Sequence, residues 1–256
     1  MKVVVTGGEG RLGSWVRRGL RDSGFEVVSV DNRLPATRED GIHHRLVHMD
    51  DLGEVTGALR GADALVHLAA IPAPYSHADE FVFVNNVRAT FNAFQAASTV
   101  GIKRVVFASS ASAYGMAWGR PTFPPHYVPL DEAHPFVVLD PYALSKDVDE
   151  RTAKMFADRD GMTAIGLRFH WISLPGEPKA RAANSDQFGY GDATNLWGYI
   201  DIRDASRAVR LSLEAPITGF DAFNIIANDT LHPRPTMEIL GAVAGYRGLR
   251  AAARFH

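Results

Sequence analysis

The sequence predicts an α/β protein built on a doubly wound parallel sheet, and three stretches carry that expectation. Lys2 to Thr6 is a β-branched run that passes straight into a glycine-rich turn and then a helical pattern from about Leu12 to Leu20. Gly24 to Asp31 is a second strand pattern, ending in an acid where a βαβ unit of ordinary length ends. Ala64 to Ala70 is a nearly continuous apolar run, as in parallel strands covered on both faces. The chain has 256 residues, 46% of them hydrophobic, enough to bury the core of one large domain or of one domain with a small lobe.

The first stretch has the make-up of a phosphate cradle. In Gly7-x-x-Gly10-x-x-Gly13, the first glycine takes a tight turn, the second lets backbone N–H groups approach a pyrophosphate, and the third lets the helix lie close on the sheet. The amides near Arg11 and Leu12 are the expected pyrophosphate donors. Asp31 falls where a carboxylate can accept hydrogen bonds from an adenosine ribose and repel a 2′-phosphate, while the nearby Arg33 could compensate such a phosphate.

Composition narrows the partners. A net charge of -2 and the lack of a long basic run point away from nucleic acid and anionic membranes and toward a small-molecule ligand. With no cysteine there is no disulfide framework, thiolate metal site or cysteine nucleophile, and no metal ligand set is assigned. The chain opens on a strand with no charged leader or spanning apolar run, so a soluble, cytoplasmic protein is expected.

Further along, Arg45 to Met49 reads as a third strand, and Asp50 or Asp51 as the cap of a helix carrying Val55, Ala58 and Leu59. The small residues closing Ala64 to Ala70 leave room for a ligand, and His67 within that run reads as a core histidine. A helix over about 80–100 is apolar on nearly all sides, which predicts burial by the sheet on one face and a partner subunit on another. The strand Arg104 to Ala108 leads to Ser109 and Ser110 at the carboxyl end of the sheet, where ligands bind. Gly115 to Pro141 is a long loop rich in proline and aromatics, read as a wall over a substrate.

Pro141 opens the next helix, on which Tyr142 and Lys146 lie one turn apart on the same face. An ammonium beside a phenol favours the phenolate and lowers a pKa that is ordinarily about 10, so the pair can exchange a proton with an alcohol or carbonyl. Thr163 to Phe169 is another strand, and Leu174 to Gly198 a loop or small lobe. Tyr199 to Ile202 reads as a short strand, Asp204 as a helix cap, Phe223 to Ile226 as a last strand, and a final helix is expected from about Thr236.

Taken in order, the Thr6 to Gly13 run, Asp31, Asp51-Leu52, His67-Leu68-Ala69-Ala70, Asn86, Ser109-Ser110 with Tyr114-Gly115, and Tyr142-x-x-x-Lys146 resemble the extended short-chain dehydrogenase/reductase family. More narrowly, they look like its NAD-dependent epimerase/dehydratase group. The resemblance implies a Rossmann fold over 1–170, completed by parts of 199–230, with a small substrate-binding lobe and C-terminal helices in 171–256. It also implies NAD as cofactor, a sugar or nucleotide sugar as substrate, and a homodimer formed through the helices at about 80–100 and 142–158. By similarity, Ser110 orients the substrate oxygen, Tyr142 exchanges its proton, and Lys146 holds the nicotinamide ribose. Asp51 and Leu52 would flank the adenine, and Asn32, Leu68, Ala69, Ala70 and Asn86 would complete the cofactor site. Two departures narrow the activity. Ala111 and Ser112 stand where the family's dehydratases carry an Asp-Glu pair, and His170-Trp171-Ile172-Ser173 replaces an Asn-Val-Tyr-Gly-Pro-like turn within a short lobe. The implied activity is hydride transfer between NAD and a secondary alcohol of a sugar, as in uronate dehydrogenases. A nucleotide-sugar 4-epimerase and a non-catalytic dinucleotide sensor are the alternatives.

Overall fold

Strand β1 (Lys2–Thr6) decides the layers, since alternate side chains of a strand point to opposite faces. Val3 and Val5 enter one core and Val4 the other, all three fully buried. The computed structural model describes residues 1–118, 125–182, 195–235 and 238–239. In it β1 is followed by α1 (Arg11–Asp22), β2 (Glu26–Asp31), β3 (Ile42–Leu46), α2 (Leu52–Leu59), β4 (Ala64–His67) and α3 (Asp79–Val100). β5 (Arg104–Ser110), a 3-10 turn (Ala111–Tyr114), α4 (Pro141–Asp160) and β6 (Thr163–Phe169) come next. The chain then forms β7 (Trp171–Ser173), α5 (Glu177–Ala182), β8 (Tyr199–Asp201), α6 (Ile202–Glu214) and β9 (Phe220–Ile225).

Seven strands pair in the order β3-β2-β1-β4-β5-β6-β9, every pair parallel. α1 and α6 bury Val16, Leu20, Val209 and Leu213 on one face, and α2, α3 and α4 bury Leu59, Phe94 and Phe156 on the other. Succession reverses between β1 and β4, which opens a crevice at their carboxyl ends. The helix ends follow local chemistry. Asp140 accepts from the Ala143 amide at 2.8 Å with Pro141 in the first helical position, and Gly101 closes α3 at φ +86°, a conformation glycine adopts without strain.

The expected doubly wound sheet is present, with local corrections. β3 forms over Ile42–Leu46 rather than 45–49 because it is the edge strand; only Ile42 of it is buried, so its hydrophobic pattern is faint. The cap of α6 is Asp201, whose Oδ1 accepts the Arg203 amide at 2.8 Å, and Asp204 lies in the first turn instead. β9 begins at Phe220, three residues before the expected strand and pairs Phe169 with Ile225. β8 falls on the short strand expected at Tyr199 to Ile202, but its partner β7 was not expected; the two pair in parallel as a two-stranded sheet, and beside it Val128, Trp197, Leu231 and Ile239 form a separate small core. Parts of the proline-rich loop, of the 174–198 segment and of the final helix lie outside the described residues.

Candidate active site

The glycine-rich turn is formed by close approach. Gly7 has φ +66°, and a Cβ on it would lie 2.7 Å from the Ala69 nitrogen; on Gly13 it would lie 2.0 Å from the Gly7 carbonyl oxygen. Gly10 is the N-cap of α1 and makes no side-chain cap bond, so the first-turn amides of Arg11, Leu12 and Gly13 point out of the helix without a side-chain acceptor. Side chains here are otherwise engaged: Leu12 enters the core and Arg11 pairs with Glu177. Beneath the turn the Glu9 carboxylate is paired with the buried Arg17 and lies 3.1 Å from His44 Nδ1.

A cleft of about 480 Å³ opens beside this turn. Gly7, Gly10, Asp31, Asn32 and Arg33 line one side, and Leu68, Ala69, Ala70 and Ile71 its floor. Asp31 is held in place by the Glu9 amide, which donates to its Oδ2 at 3.0 Å, and Arg33 donates to the Glu9 carbonyl at 3.0 Å. Asp51 and Leu52 do not line the cleft. Asp51 is spent as the N-cap of α2, accepting from the Glu54 amide at 2.9 Å, and the wall is made by His48, Met49 and Asp50 just before it. Asn86 is likewise turned away. It is fully buried, exchanges hydrogen bonds with both backbone groups of Ile71 at 2.8 and 3.0 Å, and donates to Ser145 Oγ at 3.2 Å, so it fixes a cleft residue rather than facing the cleft. Sequence reasoning missed His48, Met49 and His77, and also Phe81, Asn85 and Ala89, which line the cleft from α3. Phe81, Asn85 and Ala89 recur every fourth residue within α3, a signal of one shared helix face that was available.

Ser110, Tyr142 and Lys146 are all buried and stand outside that lining, where β5 and α4 meet. Ser110 ends β5 in register with Phe169; its Oγ accepts from the Ser112 amide at 3.1 Å and lies 2.7 Å from Ser112 Oγ. The Lys146 ammonium sits 5.7 Å from the Tyr142 ring centroid and donates to the Ala108 carbonyl at 2.9 Å. Ser145, between the two in sequence, is the residue that Asn86 ties to the cleft floor. Behind Ser110, Arg168 forms a two-pronged pair with Glu150 at 2.8 and 2.9 Å and donates to the Tyr114 hydroxyl at 2.8 Å, while Ser109 donates to Glu150 at 2.6 Å. This network locks β5, β6 and α4 together. His67 lies in the core, as read, held by Thr6 Oγ1 at 2.8 Å and Thr90 Oγ1 at 3.2 Å; burial and then the Lys146 charge pull its pKa down to about 3, so it is neutral.

The cradle fits a dinucleotide. A side chain at Gly7 or Gly13 would fill space its backbone needs, free amides face outward, and a fixed carboxylate lines the same cleft. Among the described residues there is no group of three or more His, Asp or Glu that could hold a metal ion, and no helix is long and apolar enough to cross a membrane.

Comparison with known proteins agrees with this geometry. The chain is 29% identical over 255 residues to an L-arabinose 1-dehydrogenase (NAD(P)(+)) of Haloferax volcanii, covering 96% of this chain and 95% of that one. It is 27% identical over 169 residues to a uronate dehydrogenase of Pseudomonas putida, covering 65% of this chain and 59% of that one. A solved UDP-galactose 4-epimerase superposes with a TM-score of 0.70 at 28% identity, covering 98% of this chain and 85% of that one. Residues 3–225 match the model of the NAD dependent epimerase/dehydratase family, and the chain therefore belongs to that family as an enzyme that uses NAD.

Proposed function

We propose that the protein is a dehydrogenase that transfers hydride between NAD and a secondary alcohol of a free sugar or sugar acid. The observation that carries this reading is the buried Tyr142–Lys146 pair at the carboxyl end of β5, beside Ser110 and next to Ala111 and Ser112, which offer no acid–base pair for dehydration. NAD, when bound, supplies the hydride acceptor. The Ser110 hydroxyl orients the substrate oxygen, Tyr142 takes its proton, and Lys146, beside the Tyr142 ring, reaches the nicotinamide ribose. The amides of Arg11, Leu12 and Gly13 hold the pyrophosphate, Asp31 and Asn32 the adenosine ribose, and the segment after residue 170 forms the substrate wall. A relative that spans nearly the same length and acts on a free sugar supports a free sugar over a nucleotide sugar. The absence of cysteine suits work in the cytoplasm.

The test is a screen of free aldoses, uronates and UDP-sugars with NAD. NADH formed with a free sugar supports the reading. Interconversion of a UDP-sugar without net NADH identifies an epimerase instead.

Because the Asp31 carboxylate is fixed against the ribose edge, NAD is expected to bind at least about tenfold more tightly than NADP. Titrating NADH and NADPH fluorescence checks it, and equal dissociation constants would mean that Arg33 compensates the phosphate.

The proposed assembly is a homodimer. α3 and α4 lie side by side, and their outer faces leave Val84 and Phe91 on α3 and Leu144 and Met155 on α4 exposed, an unusual apolar strip for solvent to cover. A second copy against it makes a four-helix bundle. Sedimentation at micromolar concentration is expected to give a dimer mass, and Phe91→Asp with Val84→Asp a monomer; a monomeric wild type contradicts the proposal.

A further inference from the structure

Lysine is a poor tenant of a buried site unless its charge is matched, because desolvation favours the neutral amine. Lys146 is 3% exposed. Its Nζ donates to Asp149 Oδ2 at 3.1 Å, as well as to the Ala108 carbonyl at 2.9 Å, and Asp149 is itself 1% exposed. An ammonium has three N–H groups. With two committed to fixed partners on α4 and β5, the third has one direction left.

The neighbours on every packed element leave this pair to balance itself. On α4, Glu150 is matched by Arg168 through two hydrogen bonds, and Tyr142 is the other titratable group. From β4, His67 is neutral, and from α3, Thr90 contributes a hydroxyl that bonds His67 and favours the charged form of Asp149. Asp149 Oδ1 completes no hydrogen bond although it is buried. Burial pulls the Lys146 ammonium down, but the Asp149 carboxylate, followed by Tyr142, carries it above its ordinary value. Burial in turn pushes the Asp149 carboxyl up against the pull of Lys146.

We propose that Asp149 is a positioning residue for the cofactor: it neutralises the Lys146 ammonium, so that the cationic nicotinamide ring of oxidised NAD can dock beside it, and it aims the remaining N–H. Oxidised NAD carries a positive charge on that ring and NADH carries none. An unmatched ammonium next to the ring therefore discriminates against the oxidised form alone, whereas the ribose hydrogen bond is common to both. The proposal rests on the placement of Lys146 at the nicotinamide ribose given above.

The experiment is titration of wild type, Asp149→Asn and the double variant Lys146→Met with Asp149→Asn by NAD and by NADH, without substrate, using calorimetry and NADH fluorescence. Asp149→Asn is expected to raise the ratio of the NAD to the NADH dissociation constant by at least about tenfold, a floor below the roughly hundredfold that one charge acting across about 6 Å gives at an effective dielectric constant of about 20. The double variant removes both charges and is expected to return the ratio to within about twofold of wild type. If the single variant fails to fold, the double variant and Lys146→Met decide: the first is expected at the wild-type ratio and the second below it. An unchanged ratio in folded Asp149→Asn, with both forms weakened alike, would make Asp149 a structural residue and overturn the proposal, as would a raised ratio in the double variant. No sugar enters these titrations, so a failed substrate screen leaves this result standing. A shifted-substrate success with an unmoved ratio removes only the role of Asp149.

Discussion

Tyr142→Phe is expected to lower turnover by about two to four powers of ten while the fold and the affinity for NAD persist. Hydride leaving an alcohol carbon makes its oxygen strongly acidic, so a proton must depart in step, and in the proposed reading the phenol receives it. Tyr142 is buried in the first turn of α4 and the Lys146 ammonium lies 5.7 Å from its ring centroid, so removing one oxygen leaves the packing in place and takes away only the proposed acceptor. Steady-state rates with the best substrate from the screen, together with melting temperature and NADH titration, separate the outcomes. If Tyr142 merely packs at the helix start, stability falls and turnover per folded molecule stays near wild type, and the assignment is lost.

Gly13→Ala is expected to be the most damaging single methyl in the nucleotide-binding half. Its Cβ would stand 2.0 Å from the Gly7 carbonyl oxygen, far inside contact distance, and the atom it meets is backbone rather than a side chain that can rotate away. By contrast a Cβ on Gly10 would lie 3.0 Å from the same oxygen, where a small shift suffices. Forcing α1 away from the turn costs about 1–3 kcal/mol as overpacking, and it displaces the amides that face the pyrophosphate, so affinity for NAD is expected to fall by about two powers of ten. Thermal melts and NADH titration read both effects. Unchanged values would show that the helix need not lie so close.

What the sequence made legible follows what local chemistry fixes. β1, its glycines and Asp31 were readable because a buried strand, a turn and a terminal acid sit within one continuous stretch. The Tyr142–Lys146 pair was readable because helical spacing alone puts both on one face. Asp51 was read two ways, since an aspartate before a helix serves capping or ligand binding, and the register of α2 bears out the cap. The role of Asn86 in holding Ile71 was not legible because its hydrogen bonds go to Ile71 and Ser145, partners brought together by tertiary packing. β3 was displaced because an edge strand needs few apolar residues, and β7, with its pairing to the expected strand β8, was missed because it has only three residues. The Lys146–Asp149 contact was within reach, since residues three apart on a helix are neighbours, yet its importance depends on burial that no spacing reveals.

The short β7–β8 pair has a consequence for how the chain can diverge. Trp171 lies in register with Tyr199 and Ser173 with Asp201, so the chain between them leaves and re-enters at a clip whose two halves are already joined. Closing a longer excursion costs little, about 0.6 kcal/mol for each doubling of its length. Descendants of one ancestor can therefore lengthen or shorten this excursion while the seven-stranded sheet passes unaltered from one generation of enzymes to the next.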